Sequence, residues 1–268
     1  MTERTIHFWE EGRLEAGRIT LPEERWFCIS VNGRQIVRLA ATPHALEALA
    51  LGFLHYNGYI ERMEEIAAFH LSADGGCADI WLTHEAIISE GPPLLTSGCG
   101  QGVVLDRLYR PADPLQSGLR LDPGRLPAML TAMMRGATLY RRGHGIHVSA
   151  LFTVEGELLA LAEDIGRHNT LDKLLGYRLR EGLRSEGMLL LTTGRVSSEM
   201  VSKAARLGVP FVATLKTLSS LAVEMAEAWG ITALGHIGGR RVRLYTHPQR
   251  ILSADGATPE PAPTPADD

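Results

Sequence analysis

Two features of this chain could do chemistry: a crowd of charged side chains in one short segment, and a cysteine set among glycines. From Glu163 to Gly176 the sequence reads EDIGRHNTLDKLLG, which brings Glu163, Asp164, Arg167, His168, Asn169, Asp172 and Lys173 into one span. The LFTVEGELLALA stretch before it reads as two strands around a Glu155-Gly156 turn. Leu171, Leu174, Leu175 and Leu179 after it recur at helical spacing. The polar cluster therefore falls where a strand ends and a helix begins. In an α/β sheet that junction lies at the strand carboxyl ends, where ligands bind. The bland alternative is a solvated loop; a charged run leading straight into an apolar helix favours a functional site.

The cysteine is Cys99, in LLTSGCGQGV from Leu94 to Val103. Gly98, Gly100 and Gly102 let the backbone fold tightly and leave the thiol unshielded. Cysteine reacts as thiolate, and an ordinary pKa of about 8.5 leaves little of that form at neutral pH. A cation or a helix N-terminus would raise it, and Arg167, His168, Arg195 and Lys216 are the cations to consider. The residues alone leave a structural and a reactive role for Cys99 equally open. Cys28 alternates with apolar residues on a strand and reads as core, whereas Cys77 in DGGCAD reads as an exposed bystander. Three cysteines cannot all pair among themselves. The N-terminus shows no apolar signal core, so free thiols in a reducing cytoplasm are the simplest expectation.

Two neighbouring segments supply a third chemical signal. TTGRVSSEM (Thr192 to Met200) and ATLKTLSSLAVEM (Ala213 to Met225) both run strand, basic loop, Ser-Ser, helix. Each sets a basic residue (Arg195, Lys216) and a serine pair (Ser197-Ser198, Ser219-Ser220) at a helix start. Unpaired N–H groups and a partial positive charge at helix N-termini attract phosphates. Simple N-capping by serine needs no ligand. Two adjacent turns of this kind, each with a cation, favour an anionic ligand. Neither turn is a Walker or Rossmann fingerprint.

The elements that must position these groups are legible in outline. Arg25 to Leu39 reads as a hairpin around Asn32-Gly33. Thr42 is placed to cap a helix with Pro43 at its first position, a buried stripe of Leu46, Leu49, Ala50, Phe53 and Leu54, and an end at Asn57-Gly58. Short strands follow near Ala67 to Ser72 and Asp79 to Thr83, then an aperiodic stretch from Ser89 to Leu121. Asp122-Pro123 opens another helix with Leu126, Met129, Leu130, Met133, Ala137 and Tyr140 at helical spacing; its methionines read as core filler. From His147 strands and helices alternate: strand Met188 to Thr193, helix Ser198 to Leu207, strand Val209 to Leu215, helix Ser219 to Trp229, and a final hairpin of Ile231 to Ile237 with Val242 to Thr246. Such alternation predicts βαβ units and a largely parallel sheet. The Pro-rich acidic tail from Ser253 is expected to be disordered.

Composition excludes several classes. A net charge of -4 argues against broad binding to nucleic acid, whose partners neutralise many phosphates. No apolar run approaches the roughly 20 residues of a membrane span. There is no Cys-x-x-Cys and no His-Glu-x-x-His, so no structural metal is expected. His144 and His147 in GHGIH are read as hydrogen-bonding residues at a turn and strand start rather than as metal ligands. The zinc-deaminase signatures and the Gly-x-Ser-x-Gly elbow are absent.

The segments EDIGRHNTLDKLLG, TTGRVSSEMVSKAARLGVPF, SSLAVEMAEAWGIT and RLYTHPQRI resemble the FdhD family, accessory sulfurtransferases of formate dehydrogenase. ISVNG, TPHALEALALGFL and GHGIH resemble it too, so the likeness runs in order from about Ile29 to Ile251. The resemblance implies an α/β fold with a cytidine-deaminase-like sheet and flanking helices, plus a smaller N-terminal α+β part. The divisions expected are 1–121 with the Cys99 loop, 122–252 for cofactor binding, and the tail 253–268. It further implies a cytoplasmic homodimer, cysteine desulfurase as sulfur donor, formate dehydrogenase as client, and molybdenum bis(molybdopterin guanine dinucleotide) as bound substrate. Cys99 matches the loop cysteine that carries the persulfide. His236, Ile237, Gly238, Gly239, Arg240 and Arg241 match the cofactor-contacting stretch in position, though not in letters, and Arg240 and Arg241 could pair with pyrophosphate oxygens. Many members have a Cys-x-x-Cys loop; here Gly102 holds the second place, which weakens a two-cysteine relay and leaves a single carrier sulfur intact.

On this reading Cys99 is a nucleophilic sulfur carrier. The guanosine diphosphate arms would bind Ser197, Ser198, Ser219 and Ser220, with Arg195, Lys216 and Arg241 as cations. Arg167 and His168 would orient the cofactor or raise thiolate content. One rival is a chaperone that holds the molybdenum cofactor without transferring sulfur. Another is an unrelated nucleotide-binding enzyme, suggested by the serine turns alone.

Overall fold

The computed structural model describes residues 2–86, 114–143, 145–183 and 187–253. Cys99 and Gly102, His144 and the tail beyond 253 lie outside the described residues. The chain opens with a hairpin that the sequence reading did not foresee, β1 (Thr2–Glu10) and β2 (Arg13–Leu21), paired antiparallel from Thr2↔Leu21 to Glu10↔Arg13. Its turn residues Glu11 and Gly12 both have positive φ, the backbone twist a two-residue hairpin needs. Charged residues on both faces had hidden the alternation.

The Asn32-Gly33 turn folds as its letters require, with φ of 49° and 80°, and joins β3 (Arg25–Val31) to β4 (Arg34–Ala41). Helix α1 (Leu46–Tyr56) follows, then β5 (Ile66–Leu71) and β6 (Cys77–Leu82). These four strands form a sheet in the order β4-β3-β6-β5. Phe27, Ile29, Val31, Ala78 and Ile80 point to one face and are sealed beneath Leu49, Ala50 and Leu54 of α1. Asn57 ends the helix as expected, but Thr42 does not cap it. The residue before the first helical turn is Ala45, in a left-handed conformation with no side-chain cap. Thr42 turns the other way, toward Asp164.

The cysteines correct the sequence reading. Because Phe27, Ile29 and Val31 take the core face, Cys28 is put on the opposite face and is only half-buried. Cys77 is its register partner on the adjacent parallel strand β6, and the two form a disulfide. Cys28 is thus not core, Cys77 is not a bystander, and neither is a free thiol. The period-2 pattern of β3 was legible, but which strand would lie beside it was not.

The second part begins with a 3-10 turn at Pro123–Arg125, then α2 (Leu126–Gly136) and α3 (Thr138–Arg142). The one helix expected here breaks at Ala137, whose φ and ψ are extended. Met129 and Met133 are buried, as filler should be. Next come β7 (His147–Thr153), β8 (Leu158–Asp164), α4 (Arg167–Glu181), β9 (Met188–Thr192), α5 (Ser198–Leu207), β10 (Phe211–Thr214), α6 (Ser220–Ala228), β11 (Thr232–Gly235) and β12 (Arg243–Leu244). The sheet order is β12-β11-β10-β9-β7-β8. Strands β9, β10 and β11 are parallel, while β7 runs antiparallel to both β8 and β9, and β12 antiparallel to β11. The sheet is therefore mixed, with βαβ units only in its centre. One face packs on α4, α5 and α6 through Leu190, Val212 and Ala233; the other packs on α2 through Leu189, Leu191, Phe211 and Ala213.

Helix α1 is buried all round because α4 covers the side that the small sheet does not. A Cβ on Gly52 would run into the Asp172 carbonyl, and one on Gly176 into the Ala48 carbonyl. Glycine at both crossing points lets two helix backbones touch. That contact joins the small sheet to the helix that starts at the polar cluster.

Candidate functional site

Strand directions decide where the functional residues meet. Because β8, β9, β10 and β11 all point the same way, their carboxyl ends share one edge of the sheet, and antiparallel β7 begins there. That edge carries His147, the Asp164–His168 turn, the loops after Thr192 and Thr214, and the segment after Gly235. Every described candidate for cofactor contact, including Arg167, His168, Arg195, Ser197, Ser198, Lys216, Ser219, Ser220 and His236 to Arg241, sits on it. Cys99 lies outside the described residues.

The Glu163–Lys173 cluster divides into two roles. Lys173 is fully buried and donates to Asp164 Oδ2 at 2.6 Å and to the Glu163 carbonyl at 2.9 Å. Burial pushes the Lys173 ammonium below its usual range, against the pull of Asp164. Asp164 also accepts from the Thr42 backbone N–H and from Asn169, which in turn donates to the Ala40 carbonyl. The Ile165 N–H donates to Thr42 Oγ1. Glu163 accepts from the backbone N–H groups of Thr138 and Tyr140. These residues pin β4 and α3 to the end of β8; they are neither solvated nor directed at a ligand.

Arg167 and His168, at the start of α4, face the edge instead. Arg167 packs against Gly194, where a Cβ would come 3.1 Å from Arg167 Cβ and 3.2 Å from Cδ. Glycine there lets the arginine lie flat on the loop after β9. Arg167 is 9% exposed, and its Nε has no hydrogen-bond partner among the described residues. An unsatisfied charged donor at that depth is costly unless something accepts from it. His168 Nε2 lies 3.4 Å from Ser197 Oγ and 3.5 Å from Glu199 Oε2. Burial lowers its pKa to about 4, with Lys203 and Arg167 adding to the effect against Glu199, so the ring is neutral at neutral pH. His147 is lowered likewise by burial and by Arg167.

A second buried network supports this one. Lys203 of α5 holds both oxygens of Asp172 at 2.6 and 2.7 Å, lies 3.5 Å from Glu199, and sits over the Tyr56 ring at 4.5 Å. Asp172 is driven up to about 6 by burial, against the pull of Lys203.

The two serine turns differ. Ser219 caps α6, its hydroxyl accepting from the Ala222 N–H. Ser197 precedes α5 but makes no such bond; its hydroxyl faces His168. The simple capping reading therefore holds at Ser219 and fails at Ser197. His236 follows β11 with a φ of 56°, its N–H donating to the Lys216 carbonyl, its ring Nε2 buried and unpartnered among the described residues. Arg195, Lys216, Arg240 and Arg241 are exposed cations on the same rim. Sequence reasoning missed Glu199 and Lys203, whose charges lie on an apparently ordinary helix. It also gave His147 only a structural part. Period-3.6 spacing of Glu199 and Lys203 was visible, but not that both are buried.

An α/β protein with an anion-ready rim at its strand ends is the class these observations define. The sequence profile of the FdhD/NarQ family matches residues 22–252, and the chain belongs to that family. It is 33% identical to the sulfur carrier protein FdhD of Bacillus subtilis, over 94% of this chain and 99% of that protein. It is 34% identical to the protein of the same name from Thermoplasma acidophilum, over 84% and 81%. A formate dehydrogenase accessory protein from Desulfotalea psychrophila, solved by crystallography, shares the fold with a TM-score of 0.79 and 25% identity, covering 94% of this chain and 99% of that one. Among the described residues no group of three or more side chains could hold a metal ion, and no helix is long and apolar enough to cross a membrane.

Proposed function

We propose that this protein carries sulfur from a cysteine desulfurase to the molybdenum bis(molybdopterin guanine dinucleotide) cofactor destined for formate dehydrogenase. The observation that carries the reading is the strand-end rim: a buried Arg167 whose Nε has no partner among the described residues, beside an α5 N-terminus whose serine does not cap it. Diphosphate oxygens would accept from Arg167 and from the α5 N–H groups. Arg195, Lys216, Arg240 and Arg241 would draw the anionic arms to the rim. Neutral His168 would donate to or accept from a ligand without adding charge. His236, Ile237, Gly238 and Gly239 would meet the cofactor at the far end of the same rim. The names of the relatives support the sulfur-carrying role.

In the first half-reaction the Cys99 thiolate attacks the outer sulfur of the donor's cysteine persulfide. The donor S–S bond breaks, the donor cysteine leaves as thiolate, and Cys99 holds a persulfide. In the second half-reaction the Cys99 S–S bond would break with its electron pair going to Cys99, which leaves as thiolate, and the outer sulfur would bond to the cofactor substrate, a reduced metal centre of that substrate supplying the two electrons that bring the sulfur to sulfide level. The molybdenum of the cofactor supplies the acceptor for that sulfur.

Cys99→Ala should abolish activation of formate dehydrogenase while leaving the unfolding midpoint unchanged. Wild-type protein incubated with a desulfurase and cysteine should gain the mass of one sulfur on the Cys99 peptide. Full activation by the variant would refute the carrier role. Gly102, in place of a second loop cysteine, favours a cofactor-holding chaperone as the second reading. That reading predicts cofactor retention with no mass gain.

A further inference from the structure

We propose that Cys28 and Cys77 form a reversible dithiol–disulfide couple, a redox modification site on the outer face of the N-terminal sheet. The inference stands apart from the sulfur-transfer reading. The two residues are register partners on β3 and β6, the central strands of their sheet, with Cα atoms 4.5 Å apart. The backbone ladder sets this separation. The Cys28 N–H donates to the Gly76 carbonyl at 2.9 Å, the Cys77 N–H to Ser72 Oγ at 2.9 Å, and the Ser72 N–H to the Cys77 carbonyl at 2.9 Å. Asp74 fixes the turn further by accepting from Ser72 Oγ and the Gly76 N–H. None of these bonds involves sulfur, so they persist when the disulfide is opened. The reduced thiols remain neighbours and can rejoin without rearranging the backbone.

Access is the second requirement. Both cysteines are half-buried on the face away from the α1 core. Trp26, Gln35, Arg38, Ser72 and Asp74 border a shallow open depression over the pair. Arg38 is the register partner of Cys28 on β4, and its guanidinium is held over the Trp26 ring at 5.4 Å. Arg38 and Asp74 therefore border the same depression as the two sulfurs, one charge of each sign. Accessible disulfides of this kind are the labile ones.

The exchange partner is a low-molecular-weight disulfide of the glutathione class. The Cys28 thiolate attacks one of its sulfurs and expels one small thiolate. Cys77, having lost its proton to solvent, attacks the Cys28 sulfur of the mixed disulfide and expels the second. Two protein thiols become one disulfide while one small disulfide becomes two thiols, and excess small thiol reverses both steps.

The test is differential alkylation of the full-length protein in glutathione buffers of graded redox ratio, read by peptide mass spectrometry. Cys28 and Cys77 should lose alkylation together, with a two-electron dependence, and regain it on return to the reducing buffer. In the Cys28→Ala variant Cys77 should be blocked only as a mixed disulfide carrying one glutathione, never as a link between two protein residues. Separate midpoints for the two residues, alkylation that persists in the most oxidising buffer, or blockage that persists in the most reducing one would each overturn the couple. So would a wild-type protein whose oxidised Cys28 and Cys77 peptides carry glutathione and no link to each other.

Discussion

The two serine turns are neighbours in the sheet and twins in sequence, yet they are built for different ends. Val196 bridges Leu218 in parallel register, and the Ser219 N–H donates to the Val196 carbonyl, so the turns lie side by side. The first turn enters α5, which buries Glu199, Ser202 and Lys203 together with its apolar face. The second enters α6, which buries only Ala222, Met225 and Ala226. Helix α4 makes the difference: it covers α5 and sets Asp172 against Lys203 and His168 against Ser197 and Glu199. Among the described residues no charged side chain bonds to Ser219 or Ser220. A shared local pattern thus yields a plain capped helix where it is exposed. Where a second helix crosses it, the same pattern yields a buried polar site.

Breaking the buried pair should have the largest effect. Lys203→Met strands the carboxylates of Asp172 and Glu199 in the interior and should destabilise the protein by about 3–5 kcal/mol in urea unfolding. The corresponding side chain of α6 is Met225, already apolar, and Met225→Leu should change stability by less than about 1.5 kcal/mol. Equal losses from the two changes would show that α5 and α6 are not differently built.

The next effect is in pH. The His168 pKa falls from the usual 6.5 unfolded to about 4 folded, so between these values the unfolded chain binds the proton. The stability this gives is full above pH 6.5 and is lost as pH falls toward 4. Asp172 works oppositely in nearly the same window: its pKa rises from 3.8 to about 6, so its contribution declines as pH rises. The wild type should therefore lose roughly 3 kcal/mol more than His168→Gln between pH 6.5 and 4, with the Asp172 contribution common to both. Parallel pH profiles would mean that folding leaves the His168 pKa unshifted.

The smallest effect separates the serines themselves. Ser219→Ala removes a cap and should lower stability by about 1 kcal/mol without altering affinity for guanosine diphosphate, the probe for the rim. Ser197→Ala removes no cap and should leave stability nearly unchanged while weakening that affinity. Calorimetry and thermal unfolding on both variants would reverse the assignment if the effects were exchanged.

The legibility of the molecule followed the range of the interactions. The Asn32-Gly33 hairpin, the Glu155-Gly156 turn, the span of α5 and the end of α1 at Asn57 depend on backbone preferences within a few residues, and the structure has them where the letters place them. The β1–β2 hairpin was missed because the charges that interrupt its alternation are tolerated on a strand exposed on both sides. Thr42 was misassigned because a threonine before proline has the look of a cap. Its hydroxyl accepts instead from Ile165, far along the chain. The candidate residues of the rim each follow a strand, and the strand directions bring them to one edge of the sheet. Which of them are bonded within the fold and which are left facing the edge was not readable.

The sequence by itself determined the strand and helix alternation, the family and the position of the polar cluster, because period, turn chemistry and residue order are local properties of the chain. Only the tertiary structure decided that Lys173 and Asp164 hold the fold while Arg167 keeps a donor with no partner among the described residues. Only it placed Cys28 beside Cys77. Burial and partnership depend on which distant segment arrives alongside, and it is burial that turns an ordinary lysine, histidine or cysteine into one with a defined role.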